Sequence, residues 1–121
     1  MDKYSNEEIE EALHIVTSVL RRCEKTQPKF EEGTSQHTLL KNRIKALSIS
    51  KSLLSDDNFM EKYTKDELIV ALGPISSIIS KCEKAQLKFS EGTAYHTRFK
   101  KMIKAMTISE TVLTDEISKR T

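Results

Sequence analysis

The chain has 121 residues, 37% of them apolar and 31% charged, with three Gly, two Pro, no Trp and a formal net charge of +2. That balance favours a helical chain over a disordered or β-rich one, and the charge by itself is too small to argue for a nucleic-acid partner. No apolar run approaches the roughly 20 residues a membrane span needs, and no basic, apolar, small-residue signal opens the chain, so the expected location is cytoplasmic.

Internal similarity organises everything else. Met1-Asp-Lys-Tyr-Ser returns as Met60-Glu-Lys-Tyr-Thr, and residues 1–57 align with 60–116 without a gap. The chain reads as a tandem duplication in which 58–59 are a linker and 117–121 a tail. One unit alone sits near the size at which an isolated core is marginal, so residues 1–121 are expected to form one domain.

Each unit opens with a capping box, Ser5-Asn-Glu-Glu8 and Thr64-Lys-Asp-Glu67, in which a hydroxyl takes the amide three residues on and the carboxylate reaches back. Tyr4 and Tyr63 precede it, placed to staple against Ile9 and Leu68. Ile9, Leu13, Val16, Leu20, Cys23, Gln27 and Phe30 then follow a spacing of three and four, matched by Leu68, Leu72, Ile75, Ile79, Cys82, Gln86 and Phe89. This predicts one face of a long helix. Cys23 and Cys82, without a cysteine partner nearby in the chain, read as small buried apolar residues rather than as a disulfide framework or zinc ligands.

Gly33-Thr34 and Gly92-Thr93 pair a glycine suited to ending one helix with a threonine suited to capping the next. A second helix carries His37, Leu40, Ile44, Leu47 and Leu54 on one face, repeated as His96, Phe99, Ile103, Met106 and Leu113, and is expected to end near Asp56 or Asp115. Each unit is thus an antiparallel helical hairpin. Two hairpins with apolar faces bury them most simply against each other, which predicts an all-α, pseudo-two-fold four-helix bundle whose unfused ancestor was a homodimer. Pro28 faces Leu87, and Gly73-Pro74 replaces His14-Ile15, so the first helices of the two units are expected to kink at different heights.

A further apolar stripe, Ala46, Ile49 and Leu53 with Ala105, Ile108 and Val112, lies opposite the core face of the second helices. It marks either a surface for self-association or a protein partner, or a helix central in the bundle.

Identity between the units is concentrated from Cys23 to Ala46, around the turn. Packing and turn chemistry account for Cys23, Phe30, Gly33 and Ile44, but do not ask for Lys25, Lys29, Glu32, Thr38, Lys41 or Lys45. At 100° per residue, Thr34, Thr38, Lys41 and Lys45 form a stripe near the amino end of the second helix, with Lys25 and Lys29 one turn apart on the first. Unpaired amides at that helix end favour an anion, so these side chains with His37 are a candidate phosphate site. The repeats are Lys84, Lys88, Thr93, His96, Thr97, Lys100 and Lys104, implying two related sites or one shared across the axis. His37 and His96 are either half-buried side chains satisfied by a carbonyl or by Gln27, or ligand contacts. Gln27 and Gln86 need buried partners of their own. A metal is not expected, because Cys23 lies about two helical turns from His37.

No nucleophile-base-orienter set, Gly-rich phosphate loop or pair of core-facing carboxylates stands out, and no cofactor or catalysis is expected. His14 occurs in one unit only.

The run K-T-Q-P-K-F-E-E-G-T-S-Q-H-T-L-L-K-N-R-I-K-A, from Lys25 to Ala46, resembles short single-unit proteins of Gram-positive bacteria and their mobile elements. The resemblance covers each unit almost entirely and implies an origin, with no established activity; small phage proteins of this size often sequester a signal or mask a host protein. The leading expectation is a non-enzymatic protein capturing a phosphate-bearing small molecule, such as a nucleotide signal, at the hairpin turns. The alternative is an interaction or inhibitor module acting through its helical surface. Nucleic-acid binding through Lys100, Lys101 and Lys104 is a weaker reading, because acidic residues intersperse and aromatic platforms are scarce.

Overall fold

A computed structural model describes residues 3–55 and 62–120. The expected linker at 58–59 and the expected helix end at Asp56 lie outside them. Among the described residues there are four α-helices: α1 (Asn6–Thr26), α2 (Ser35–Leu54), α3 (Lys65–Gln86) and α4 (Ala94–Lys119).

Local chemistry starts each helix where expected. The Ser5 hydroxyl accepts from the Glu8 amide at 3.1 Å while the Ser5 amide donates to the Glu8 carboxylate at 2.9 Å. Thr64 and Glu67 repeat both bonds at 3.1 and 2.9 Å. Thr34 and Thr93 cap α2 and α4 by accepting from the His37 and His96 amides.

The end of the first helix is corrected. α1 stops at Thr26 and a 3₁₀ turn, Gln27–Lys29, follows with Pro28 near its start, where a missing N–H costs little. Phe30, expected on the core stripe, is exposed. Gly33 and Gly92 adopt φ of 93° and 92°. They lie immediately before the threonine caps rather than at the end of the preceding helix, so they aim the chain into α2 and α4.

The hairpins α1–α2 and α3–α4 are joined by α2 on α3 and α1 on α4, and α2 also meets α4 across the diagonal; α1 and α3 do not meet. Both helices of the central pair therefore touch all three others. This decides the second stripe: Ala46, Ile49, Ala105, Ile108 and Val112 are 4% exposed or less, and Leu53 packs partly buried against the same core. The expectation that they form a surface for self-association is overturned, because the other hairpin covers them. Ser50 and Ser109, fully buried, keep side-chain bulk low at the centre and donate to the Ala46 and Ala105 carbonyls.

Two ion pairs show the pseudo-two-fold relation directly. Lys45 Nζ meets Glu67 Oε2 at 2.8 Å and Lys104 Nζ meets Glu8 Oε2 at 3.0 Å. Lys104 is the repeat of Lys45, and Glu67 of Glu8, so each hairpin gives its lysine to the other's capping box. Exposed pairs of this kind add little to stability, and their effect is on register.

The symmetry fails at the ends. α4 continues past Asp115, where it was expected to stop, and its extra turn carries the buried Glu116, paired with Arg120 at 3.0 Å; Arg120 also donates to the Tyr63 carbonyl. Tyr4 lies within 3.4 Å of the Thr111 hydroxyl. Pro74 stands inside α3, where the Val70 carbonyl loses its helical donor.

Because the Ile49 side chain is enclosed, Ile49→Glu should cost on the order of 4 kcal/mol by placing a charge in the core, seen as loss of cooperative thermal unfolding rather than as a change of oligomeric state. The capping boxes carry a pH dependence. Glu8 is held below the ordinary glutamate pKa chiefly by the Ser5 amide and then by Lys104, and Glu67 chiefly by Lys45 and then by the Thr64 amide. A depressed folded pKa contributes stability above the ordinary value that is lost as pH falls through the folded one. Glu8→Gln with Glu67→Gln should therefore lower Tm at pH 7, and the difference from the parent should close as pH falls through the depressed carboxyl pKa values.

Candidate functional site

The end of the bundle nearest the two turns is where the corner helices leave space between them. Val19, Arg22, Cys23 and Thr26, spaced to share one face of α1, look across at Ile78, Lys81, Cys82 and Ala85 on α3. The second and third turns of α2 and α4 add Leu40 with Arg43 and Phe99 with Met102, bordering an open cavity of about 400 Å³. Every one of these residues is present with its repeat, so the cavity lies on the pseudo-two-fold axis, and both turns lie at the same end of the bundle. Leu40 and Phe99 stand at matched places on its wall, and Phe99 stacks on Phe89, which in turn stacks on Tyr95.

Four of the pairs keep their character: Val19 with Ile78, Arg22 with Lys81, Cys23 with Cys82, Leu40 with Phe99. Thr26 and Ala85 differ in polarity, and Arg43 and Met102 differ in charge. The Nε and Nη2 atoms of Arg43 are buried and have no hydrogen-bond partner among the described residues. Arg43 lines the cavity together with Cys23 and Cys82, and its charge opposes the rise that burial imposes on both thiols. On an axis, one guanidinium serves both units, whereas a second at the Met102 position would bring a like charge to the same cavity. Arg22 and Lys81 are exposed, and no carboxylate lines the cavity.

The cysteines are free and buried, as the apolar spacing predicts. Burial pushes both thiols above their usual pKa, and Arg43 pulls back only in part. Cys82 Sγ donates to Met102 Sδ at 3.2 Å. Although far apart in the chain, the two thiols share one cavity, which linear spacing could not show.

The residues expected to hold phosphate are dispersed. Thr34 and Thr93 are committed to their caps, each also donating to a carbonyl, of Glu31 at 2.7 Å and of Ser90 at 2.8 Å. Lys45 and Lys104 are committed to the ion pairs with Glu67 and Glu8. Lys25, Lys29, Thr38 and Lys41 are exposed, as are Lys84, Lys88, Thr97 and Lys100. His37 and His96 are half-buried, and the His96 carbonyl accepts from the Gln86 side chain at 3.3 Å, so that amide is satisfied by backbone. Lys25, Lys45 and Lys104 line three separate depressions, not one.

Agreement between the units does not point to Arg43, because its repeat is Met102. A signal was nonetheless present in the chain: Arg43 stands three residues after Leu40 and four before Leu47, a cation within an apolar spacing.

A second cavity, about 290 Å³, lies between α2 and α3 and is lined by Ala46, Ile49, Val70 and Pro74 among others. Its repeat-related counterpart between α1 and α4, with Glu11 and Ile15 at the matching places, holds about 20 Å³. Val70 is 70% exposed at its edge.

No protein-family model matches the chain, and neither a curated protein nor a solved structure matches it. No helix among the described residues is long and apolar enough to cross a membrane.

Burial predicts slow thiols. A disulfide reagent should modify Cys23 and Cys82 more slowly in the native protein than after unfolding, with a native rate still climbing at pH 9 because the thiolate fraction has not levelled off.

Proposed function

We propose that the chain is a non-enzymatic binding protein that captures a small molecule bearing an oxyanion in the cavity on the pseudo-two-fold axis. Half-buried Arg43, whose Nε and Nη2 atoms are enclosed without a hydrogen-bond partner among the described residues, carries this reading. Buried N–H groups left without an acceptor cost about 1–3 kcal/mol, and a carboxylate or phosphate is the partner whose two oxygens match the guanidinium fork. Val19, Ile78, Leu40 and Phe99 provide apolar wall for the remainder of the ligand, and a volume of about 400 Å³ lies within the range of small-molecule sites. The thiols are held protonated, a state suited to contact rather than attack. Lys41, Lys100 and their exposed neighbours near the turns add positive field at this end and speed the approach of an anion. Sequestration of an anionic signal is the role that fits.

A second reading is supported by Val70, exposed at the edge of the α2–α3 cavity, with the exposed Ile69 next to it in the chain: an apolar surface on which a partner protein docks.

Thermal-shift measurement against phosphate-bearing and carboxylate-bearing compounds tests the first reading. Arg43→Met, which copies the residue of the other unit, should remove the ligand-induced rise in Tm while leaving the unliganded protein as stable as the parent or more so. If no oxyanion compound raises Tm, or if the variant responds as the parent does, the reading fails and docking at Val70 becomes the better account.

A further inference from the structure

Resting on that reading, we infer that the axial cavity is the inner end of a one-sided channel, and that its ligand carries two or more linked phosphates laid outward between α1 and α4. Three cavities abut. The axial one shares Val19, Arg22 and Met102 with a cavity of about 180 Å³ between α1 and α4, which also holds Arg98 and Lys101. That one shares His14, Ser18 and Arg22 with a depression of about 350 Å³ on the outer face of α1, where Arg21 and Lys25 stand. Arg22 is common to all three. None of the three is lined by a carboxylate, so seven cations, Arg43 and Lys81 among them, border one continuous path that begins at Arg43.

The internal comparison shows that this path exists on one side only. The repeats of Arg98, Lys101 and Arg21 are Leu39, Asn42 and Ser80, uncharged in each case. A ligand with a single carboxylate would use Arg43 and leave the outer cations idle. An oligophosphate uses them in order, its first phosphate at Arg43 and Arg22, the next toward Arg98 and Lys101, with an apolar or aromatic end against Ile78 and Phe99. One ligand per chain follows, in place of the two related sites that the matched lysines suggested.

Calorimetric titration with AMP, ADP, ATP and octanoate, at fixed salt, tests this. Affinity should rise from AMP to ADP to ATP by roughly tenfold per added phosphate, the equivalent of one good charge contact, with one site per chain. Arg98→Leu with Lys101→Asn places the other unit's residues on this side, so the fold is expected to hold, and circular dichroism confirms it. That double variant should bind AMP unchanged and lose the ADP-over-AMP preference. Equal affinity for the three nucleotides, or a preference that survives the double variant, overturns the channel while leaving the axial site standing if Arg43→Met still abolishes binding. Octanoate bound through Arg43 without any nucleotide binding likewise overturns the channel and keeps the axial site. Silence from all four probes removes the axial site and the channel with it. A single-stranded oligonucleotide bound more tightly than ATP and indifferent to Arg43→Met would overturn the channel in favour of a nucleic-acid face.

Discussion

Two of the four helices have no face they can leave to water on either of two sides, and that demand shapes the molecule. Leu47 and Met106 are fully buried on one side of α2 and α4, and Ile49 and Ile108 on the other. A helix apolar on two sides must be enclosed by several neighbours. Each of this pair is enclosed by three, which places both at the centre and pushes α1 and α3 to opposite corners. The ion pairs Lys45–Glu67 and Lys104–Glu8 then hold the register of one hairpin on the other.

The axial cavity is a by-product of this arrangement. Corner helices that do not meet leave space between them, and beside the turns the side chains filling it are of moderate size: Val19, Cys23, Ile78 and Cys82. Symmetry supplies the apolar walls twice over, but it cannot supply the charge twice, because a residue on the axis faces its own repeat. Arg43 opposite Met102 resolves that conflict, and the thioether takes a thiol hydrogen from Cys82 where a second cation would repel. Near-symmetry in packing and asymmetry in charge are therefore two results of one geometry. The same logic extends outward, where Arg98 and Lys101 stand on one flank and Leu39 and Asn42 on the other.

Agreement between the units was a sound guide to structure, and it does not lead to Arg43. Lys45, Lys104, Thr34 and Thr93 recur because they are engaged in holding hairpins together and starting helices. Identity between copies reports what both copies need, and both need caps and cross-hairpin pairs. A group used once, on the axis, is invisible to that comparison.

From the chain alone, the helix starts, the caps at Ser5, Thr34, Thr64 and Thr93, the hairpins and their pairing into a bundle could be read, because these depend on hydrogen bonds within three or four residues and on an apolar spacing repeated along one face. The end of α1 at Thr26, beside Pro28, is a local matter that the apolar spacing overran, whereas the continuation of α4 to Lys119 could not be read, since the Glu116–Arg120 contact over Tyr63 supports it from a distance. Only the tertiary structure decided that the Ala46–Ile49–Leu53 stripe faces inward, that Cys23 and Cys82 share a cavity, and that Arg43 lines it with them. Those outcomes turn on the separation of helices remote in the chain, and no local spacing encodes a distance between them.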